Sequence, residues 1–217
     1  MAKLVGPSFG PAAGGPPRQL VVLLHGVGAD GQDLVGLAPM LARDLPHARF
    51  VAPDGPEPCD LAPYGRQWFS LQDRRPERML AGIVRTAPLL DAFLDEELAR
   101  YGLTDADLAL LGFSQGTMMS LHVGPRRQNR IAGILGYSGL LIGPDHLAAE
   151  ARHRPPVLLA HGEADPVVPF AAMGQAERAL KSAGFEVEAY PRPGLPHGID
   201  GVGLALGGRF LKRVFGA

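Results

Sequence analysis

Six short apolar runs punctuate the chain, at residues 19–24, 49–52, 108–111, 131–135, 157–160 and 187–190. The first, Gln19-Leu20-Val21-Val22-Leu23-Leu24, is aliphatic or β-branched after its first residue, with no alternation of polar positions. A continuous run of that length predicts a strand covered on both faces, as in a parallel sheet. Between the runs lie segments with helical spacing, at 32–45, 89–101, 115–123, 170–183 and 201–215; in the second, Leu90, Phe93, Leu94 and Leu98 share one face. Asp30, with Asp33 three residues on, reads as an N-cap followed by a first-turn acid. Pro88 interrupts a longer helical region, 77–101, and predicts a kink or a fresh start near it. Strand–helix alternation along the whole chain predicts an α/β protein: a mostly parallel, doubly wound sheet with helices on both faces and no large cap domain.

Length refines this picture. At 217 residues the chain suits one domain spanning 1–217, and a domain of that size buries a large core. Glycine (29) and proline (21) are abundant, but they fall between the apolar runs and read as turns and caps. Only 10–17 forms a tract, so 1–18 reads as a flexible or extended lead-in. Segment 54–75 is long, has no clear period and is rich in proline and glycine in its first half; loops of that length are often functional.

A formal charge of −1 supplies no basic field for nucleic acid or an anionic membrane surface. The single cysteine, Cys59, cannot form an internal disulfide, which fits a cytoplasmic setting. No run approaches the roughly 20 apolar residues needed to span a bilayer, and the N-terminus lacks a secretory apolar stretch. The partner expected is a small molecule, with no nucleic acid and no membrane insertion; a homodimer is compatible.

Gly112-Phe113-Ser114-Gln115-Gly116 follows the third run and opens a helical segment. Strand, sharp turn and helix form the context in which G-x-S-x-G marks a nucleophile elbow. An exposed serine on so tight a turn needs small residues on either side, and the helix N-terminus points free N–H groups at the site. Six serines and 29 glycines would produce roughly 0.1 such patterns by chance, so an ordinary glycine-flanked loop serine is the lesser reading.

A serine hydroxyl needs a base, and the base needs a carboxylate to orient it. On this fold the acid and then the histidine follow the serine along the chain. The run at 157–160 empties into His161-Gly162-Glu163-Ala164-Asp165-Pro166-Val167-Val168-Pro169, where Asp165 is favoured as the acid because Asp-Pro and an apolar pair would fix it in a turn; Glu163 competes, and a helix-capping aspartate is the bland alternative. Seven histidines compete for the base. Only His197, in Pro193-Gly194-Leu195-Pro196-His197-Gly198, follows Asp165. The oxyanion formed on acyl transfer needs two N–H donors: the backbone of Gln115 supplies one, and the glycine-rich loop His25-Gly26-Val27-Gly28-Ala29-Asp30 the other, with its exact donor open.

Taken with Pro196-His197-Gly198, the segments at Leu24 to Gly31, Gly112 to Gly116 and His161 to Pro169 resemble the phospholipase/carboxylesterase family of the α/β-hydrolase superfamily, over about residues 20–211. The resemblance implies an α/β-hydrolase fold, a catalytic triad of Ser114, Asp165 and His197, oxyanion donors at the N–H groups of Val27 and Gln115, and no metal or cofactor. It also implies an aromatic loop, Gly65-Arg66-Gln67-Trp68-Phe69-Ser70, that makes Trp68 a substrate contact, with core packing an equal alternative. Thr117-Met118-Met119 departs from the small residues common in the family, and Gly198-Ile199-Asp200 is nearer the bacterial carboxylesterases than the eukaryotic depalmitoylating enzymes.

The expectation is a serine carboxylesterase for short to medium acyl chains, working through an acyl-enzyme. Its rivals are a thioesterase or lysophospholipase for long acyl chains, a peptidase on the same fold, and a non-catalytic binding protein. A cysteine hydrolase through Cys59 is disfavoured, since that residue sits in a proline-rich loop without an elbow.

Overall fold

The computed structural model describes residues 3–217. In chain order its strands are β1 (Ser8–Phe9), β2 (Gln19–Leu24), β3 (Ala48–Val51), β4 (Glu57–Pro58), β5 (Arg66–Gln67), β6 (Leu108–Phe113), β7 (Gly133–Tyr137), β8 (Val157–Gly162) and β9 (Val187–Arg192). The α-helices are α1 (Gly31–Val35), α2 (Ala38–Leu41), α3 (Pro76–Tyr101), α4 (Gln115–Val123), α5 (Pro144–Glu150), α6 (Ala171–Ser182) and α7 (Gly201–Phe215). Seven strands form one sheet in the order β1-β3-β2-β6-β7-β8-β9, parallel except for β1. The doubly wound α/β architecture read from the apolar runs is the one observed.

Each continuous apolar run divides its side chains between two cores, as a period of two requires. Leu20, Val22, Leu24, Leu108 and Leu110 pack on the face covered by α3, α4 and α6. Val21, Leu23, Ala109 and Leu111 face the other way, toward α1, α2 and α7. The chain runs from β2 outward to β3, then returns to place β6 on the other side of β2. That reversal is a topological switch point, and ligands on open α/β sheets bind outside the carboxyl ends of the strands there.

Several boundaries differ from the sequence reading. Segment 32–45 is two short helices, because Gly36 ends the first and Pro39 suits the start of the second. Pro88 starts no new helix: α3 runs unbroken for 26 residues. Pro88 and Val84 both lie on the exposed face, so the carbonyl that Pro88 leaves without an N–H partner faces water. Asp30 does cap α1, accepting the Asp33 N–H at 3.2 Å. The lead-in adds the edge strand β1, antiparallel to β3, and Ala13 donates to Pro46 O.

Segment 54–75 carries the small β4–β5 hairpin. It docks on the loop after β2 through Gly28 N–H to Arg66 O (2.9 Å) and Arg66 N–H to Ala29 O (2.8 Å). Gly65 sits with φ +79° where any Cβ would lie 2.0 Å from Gly28 O, so only glycine permits this approach.

Candidate active site

Ser114 lies between β6 and α4 with φ 54° and ψ −115°, a conformation a non-glycine residue adopts only when its surroundings impose it. The surroundings are specific. A Cβ on Gly112 would approach the Gly116 carbonyl to 2.4 Å, and one on Gly116 would come within 1.8 Å of Leu24 O. Two glycines therefore let the turn close and let α4 press against the end of β2. Thr117 Oγ1 braces the turn from within, 2.8 Å from Gly112 O and 2.9 Å from Tyr137 O. Met118 lines the groove beside Ser114, so of Thr117, Met118 and Met119, which depart from the family's small residues, only Met118 reaches that wall.

Asp165 and His197 are 32 residues apart, yet His197 Nδ1 lies 2.7 Å from Asp165 Oδ2. The loops that follow β8 and β9 are zipped together by Glu163 N–H to Arg192 O and Ala164 N–H to Leu195 O. Gly162 lets the second loop come close, since a Cβ there would be 2.1 Å from Leu195 O. Asp200 then caps α7 by accepting the Gly203 N–H at 2.7 Å and pairs with Arg192, fixing the far end of the histidine loop.

The Asp165 side chain is fully buried, and its Oδ1 accepts the N–H groups of Val167 (2.8 Å) and Val168 (2.9 Å). Burial pushes this carboxyl up, but the hydrogen bonds from His197, Val168 and Val167 outweigh it and leave the group below its ordinary value. Glu163 is exposed. The Phe113 ring lies 4.8 Å from the His197 ring, which seats the imidazole beside the elbow. In this resting geometry Ser114 Oγ and His197 are not hydrogen-bonded; such bonds are often long at rest and tighten around substrate.

The first turn of α4 leaves the Gln115 N–H without an intrahelical partner. In the loop after β2, Gly28 donates to Arg66 O and Ala29 to Gly26 O, and Val27 is the neighbour whose N–H has no such bond. Gly26 brings this loop against the elbow, where a Cβ would lie 3.2 Å from Ser114 Cβ. A groove of about 240 Å³ opens at Ser114; Val27, Leu71, Met79, Met118, Leu140 and Val168 line it, with the exposed Arg74 and Val167 also on its walls.

Trp68 does not line that groove. It is fully buried; Nε1–H donates to His25 O at 3.0 Å, its N–H to Gln115 Oε1 at 2.9 Å, and its carbonyl accepts the Thr86 hydroxyl at 2.8 Å. These contacts support core packing over substrate contact. His25 is also buried, with Nδ1–H toward Gly26 O and Nε2 accepting the Gly55 N–H. Burial holds its pKa below the ordinary value, so it remains the neutral brace of its loop. Cys59 is half-buried in the hairpin loop, apart from any elbow. Among the described residues no group of three or more His, Cys, Asp or Glu is arranged to hold a metal ion.

A family model described as Phospholipase/Carboxylesterase matches residues 11–214. The chain belongs to that family. It is 32% identical to Esterase YpfH of Escherichia coli (strain K12) over 190 residues, covering 85% of this chain and 78% of that protein. It is 29% identical to Acyl-protein thioesterase 1 of Schizosaccharomyces pombe over 209 residues, 91% of each chain. The crystal structure of esterase PE8 superimposes with a TM-score of 0.93 at 40% identity, covering 98% of this chain and all of that one. The protein is thus an α/β-hydrolase-fold enzyme of the serine-hydrolase type.

Within this phospholipase/carboxylesterase site, two side-chain roles escaped the sequence reading. The Gln115 side chain clamps the aromatic loop, accepting from Trp68 N–H and donating to Phe69 O at 2.7 Å. Ser138 follows β7 with φ 49°, buried, its hydroxyl 3.4 Å from Gly198 O beside the histidine. Neither has a local signature, because the partners are 46 to 60 residues away.

Proposed function

We propose that this chain is a serine carboxylesterase hydrolysing carboxylic esters of short to medium acyl length through a covalent acyl-enzyme. Ser114 attacks the ester carbonyl while His197 Nε2 takes its proton. Asp165, on Nδ1, holds the imidazole in the matching tautomer and stabilises the imidazolium. The N–H groups of Val27 and Gln115 receive the oxyanion, His197 returns the proton to the leaving alcohol, and water then repeats the sequence on the acyl-serine.

The observation that carries this reading is the 2.7 Å contact between the buried Asp165 carboxylate and a partly exposed His197, beside a strained elbow serine at a switch point of the sheet. Ser114→Ala is expected to lower turnover of p-nitrophenyl acetate by about four orders of magnitude while the protein stays folded. A fluorophosphonate probe should label the wild type and not this variant. Hydrolysis by the variant near the wild-type rate would remove Ser114 from the mechanism, and an unlabelled wild type would favour a binding protein.

One observation favours a longer acyl chain. The groove at Ser114 shares Met79 and Leu140 with a neighbouring cleft of about 630 Å³ lined by Leu80, Val84, Leu141 and Ile142. A chain leaving the short groove could continue over this apolar surface, as a thioesterase or lysophospholipase for long acyl groups would require. Relative kcat/KM for p-nitrophenyl esters from acetate to palmitate, and for matched thioesters, separates the two readings.

A further inference from the structure

His161 is the penultimate residue of β8 and only 2% exposed. Its Nε2 is 3.0 Å from Val168 O and 3.2 Å from Asp165 Oδ2. Both neighbours are acceptors: a carbonyl oxygen cannot donate, and Asp165 is held as the carboxylate by its other hydrogen bonds. The proton on the neutral ring therefore belongs on Nε2. A small cavity beside the ring is also lined by Thr117 and Leu121 of α4, Ser138 just after β7 and Met173 of α6, with Phe170 edge-on at 6.1 Å. None of these is charged. Asp165, itself paired with His197, is the charged group in contact with the ring.

We propose that His161 is a positioning residue that orients Asp165 and sets how strongly Asp165 holds the proton on His197. The inference rests on the triad reading above. The His161 N–H makes its hydrogen bond to Val168 O and also lies close to Asp165 Oδ2. Toward Val168 O it fastens the end of the Asp165-Pro166-Val167-Val168 turn, whose own N–H groups hold Oδ1. Toward Oδ2 it places the positive end of its dipole on the oxygen that also receives His197 Nδ1. Charge drawn toward His161 is charge withheld from His197, so the imidazolium formed during acyl transfer is less tightly held and more readily protonates the leaving group.

The tautomer is tested in the wild-type protein by two-dimensional 1H–15N correlation at pH 7. The expected pattern for His161 is a protonated Nε2 with a bare Nδ1, and the opposite tautomer would overturn the proposal. The pH profile of kcat/KM tests the consequence. His161→Phe and His161→Met keep bulk without the N–H, and either one that folds serves. Its acid limb should move to higher pH by about half a unit or more, because Asp165 then acts on His197 undivided. Its kcat should fall about 10- to 100-fold as the carboxylate loosens. His161→Gln, which can present an N–H near the same place, should return the limb toward the wild-type position. An unmoved limb in Phe or Met, or a Gln variant indistinguishable from them, would overturn it. Failure of the triad reading shows separately, as turnover that survives Ser114→Ala.

Discussion

Gln115 does two jobs with two parts of one residue. Its main-chain N–H opens α4 without an intrahelical partner, while its amide holds Trp68 N–H and Phe69 O in a region with no access to water. Gln115→Ala would leave both of those backbone groups buried and unpaired, at about 1–3 kcal/mol each. The expected loss is about 2–4 kcal/mol, read as a lower urea midpoint. Trp68 is the chain's single tryptophan, so its emission reports directly on this clamp. An unchanged midpoint would mean that the amide is not what holds the loop. At this scale legibility depended on order along the chain. Ser114, Asp165 and His197 could be picked out because an elbow, an acid loop and a final histidine must come in sequence, and the structure sets the last two in contact. Gln115's side chain and the burial of Trp68 depend on partners about 47 residues apart, for which no spacing rule exists.

Glycines separate the elements that must touch from those that need not. Gly116 sits where α4 crosses the end of β2, and a Cβ there would meet Leu24 O at 1.8 Å, a backbone atom that cannot step aside. Gly116→Ala should cost about 3 kcal/mol or more, or yield no folded protein. Gly174, the fourth residue of α6, meets within 4 Å only the far end of the Arg178 side chain, at 3.4 Å. Gly174→Ala should raise stability by about 0.5–1 kcal/mol through helix propensity and a less flexible unfolded chain. Thermal or urea denaturation of the two variants side by side checks both signs; equal effects would defeat the distinction. With 29 glycines in the chain, composition gives no hint which of them hold elements together. Element boundaries were legible where one period dominated, as in α7, which occupies the predicted 201–215. They slipped where proline or glycine has two possible uses: Gly36 and Pro39 divide a predicted helix, while Pro88 rides unbroken inside one.

Every residue of α4 from Gln115 to Val123 is buried, His122 among them. Its Nδ1 has no partner. Burial first, and the nearby Arg126 second, lower its pKa to about 4, against a weaker opposing pull from Glu150. The folded molecule therefore keeps His122 neutral in a range where the unfolded chain, titrating near its ordinary value, takes up a proton. Between the two pKa values the unfolded state binds more protons, so stability rises with pH there and is lost as pH falls from about 6.5 toward 4. A gap of that size corresponds to about 3 kcal/mol for the whole molecule, saturating below the folded value. His25, whose pKa burial also lowers, adds loss of the same sign. Asp165 acts lower still: its depressed value contributes stability that is lost only as pH falls through it. Urea midpoints measured from pH 7 to pH 4.5 should therefore fall steadily for the wild type. His122→Leu, which fills a similar space without a titrating group, should remove most of the His122 share and flatten the profile over that window. A variant profile as steep as the wild type would place the acid sensitivity elsewhere, and the buried helix that follows Ser114 would not be its source.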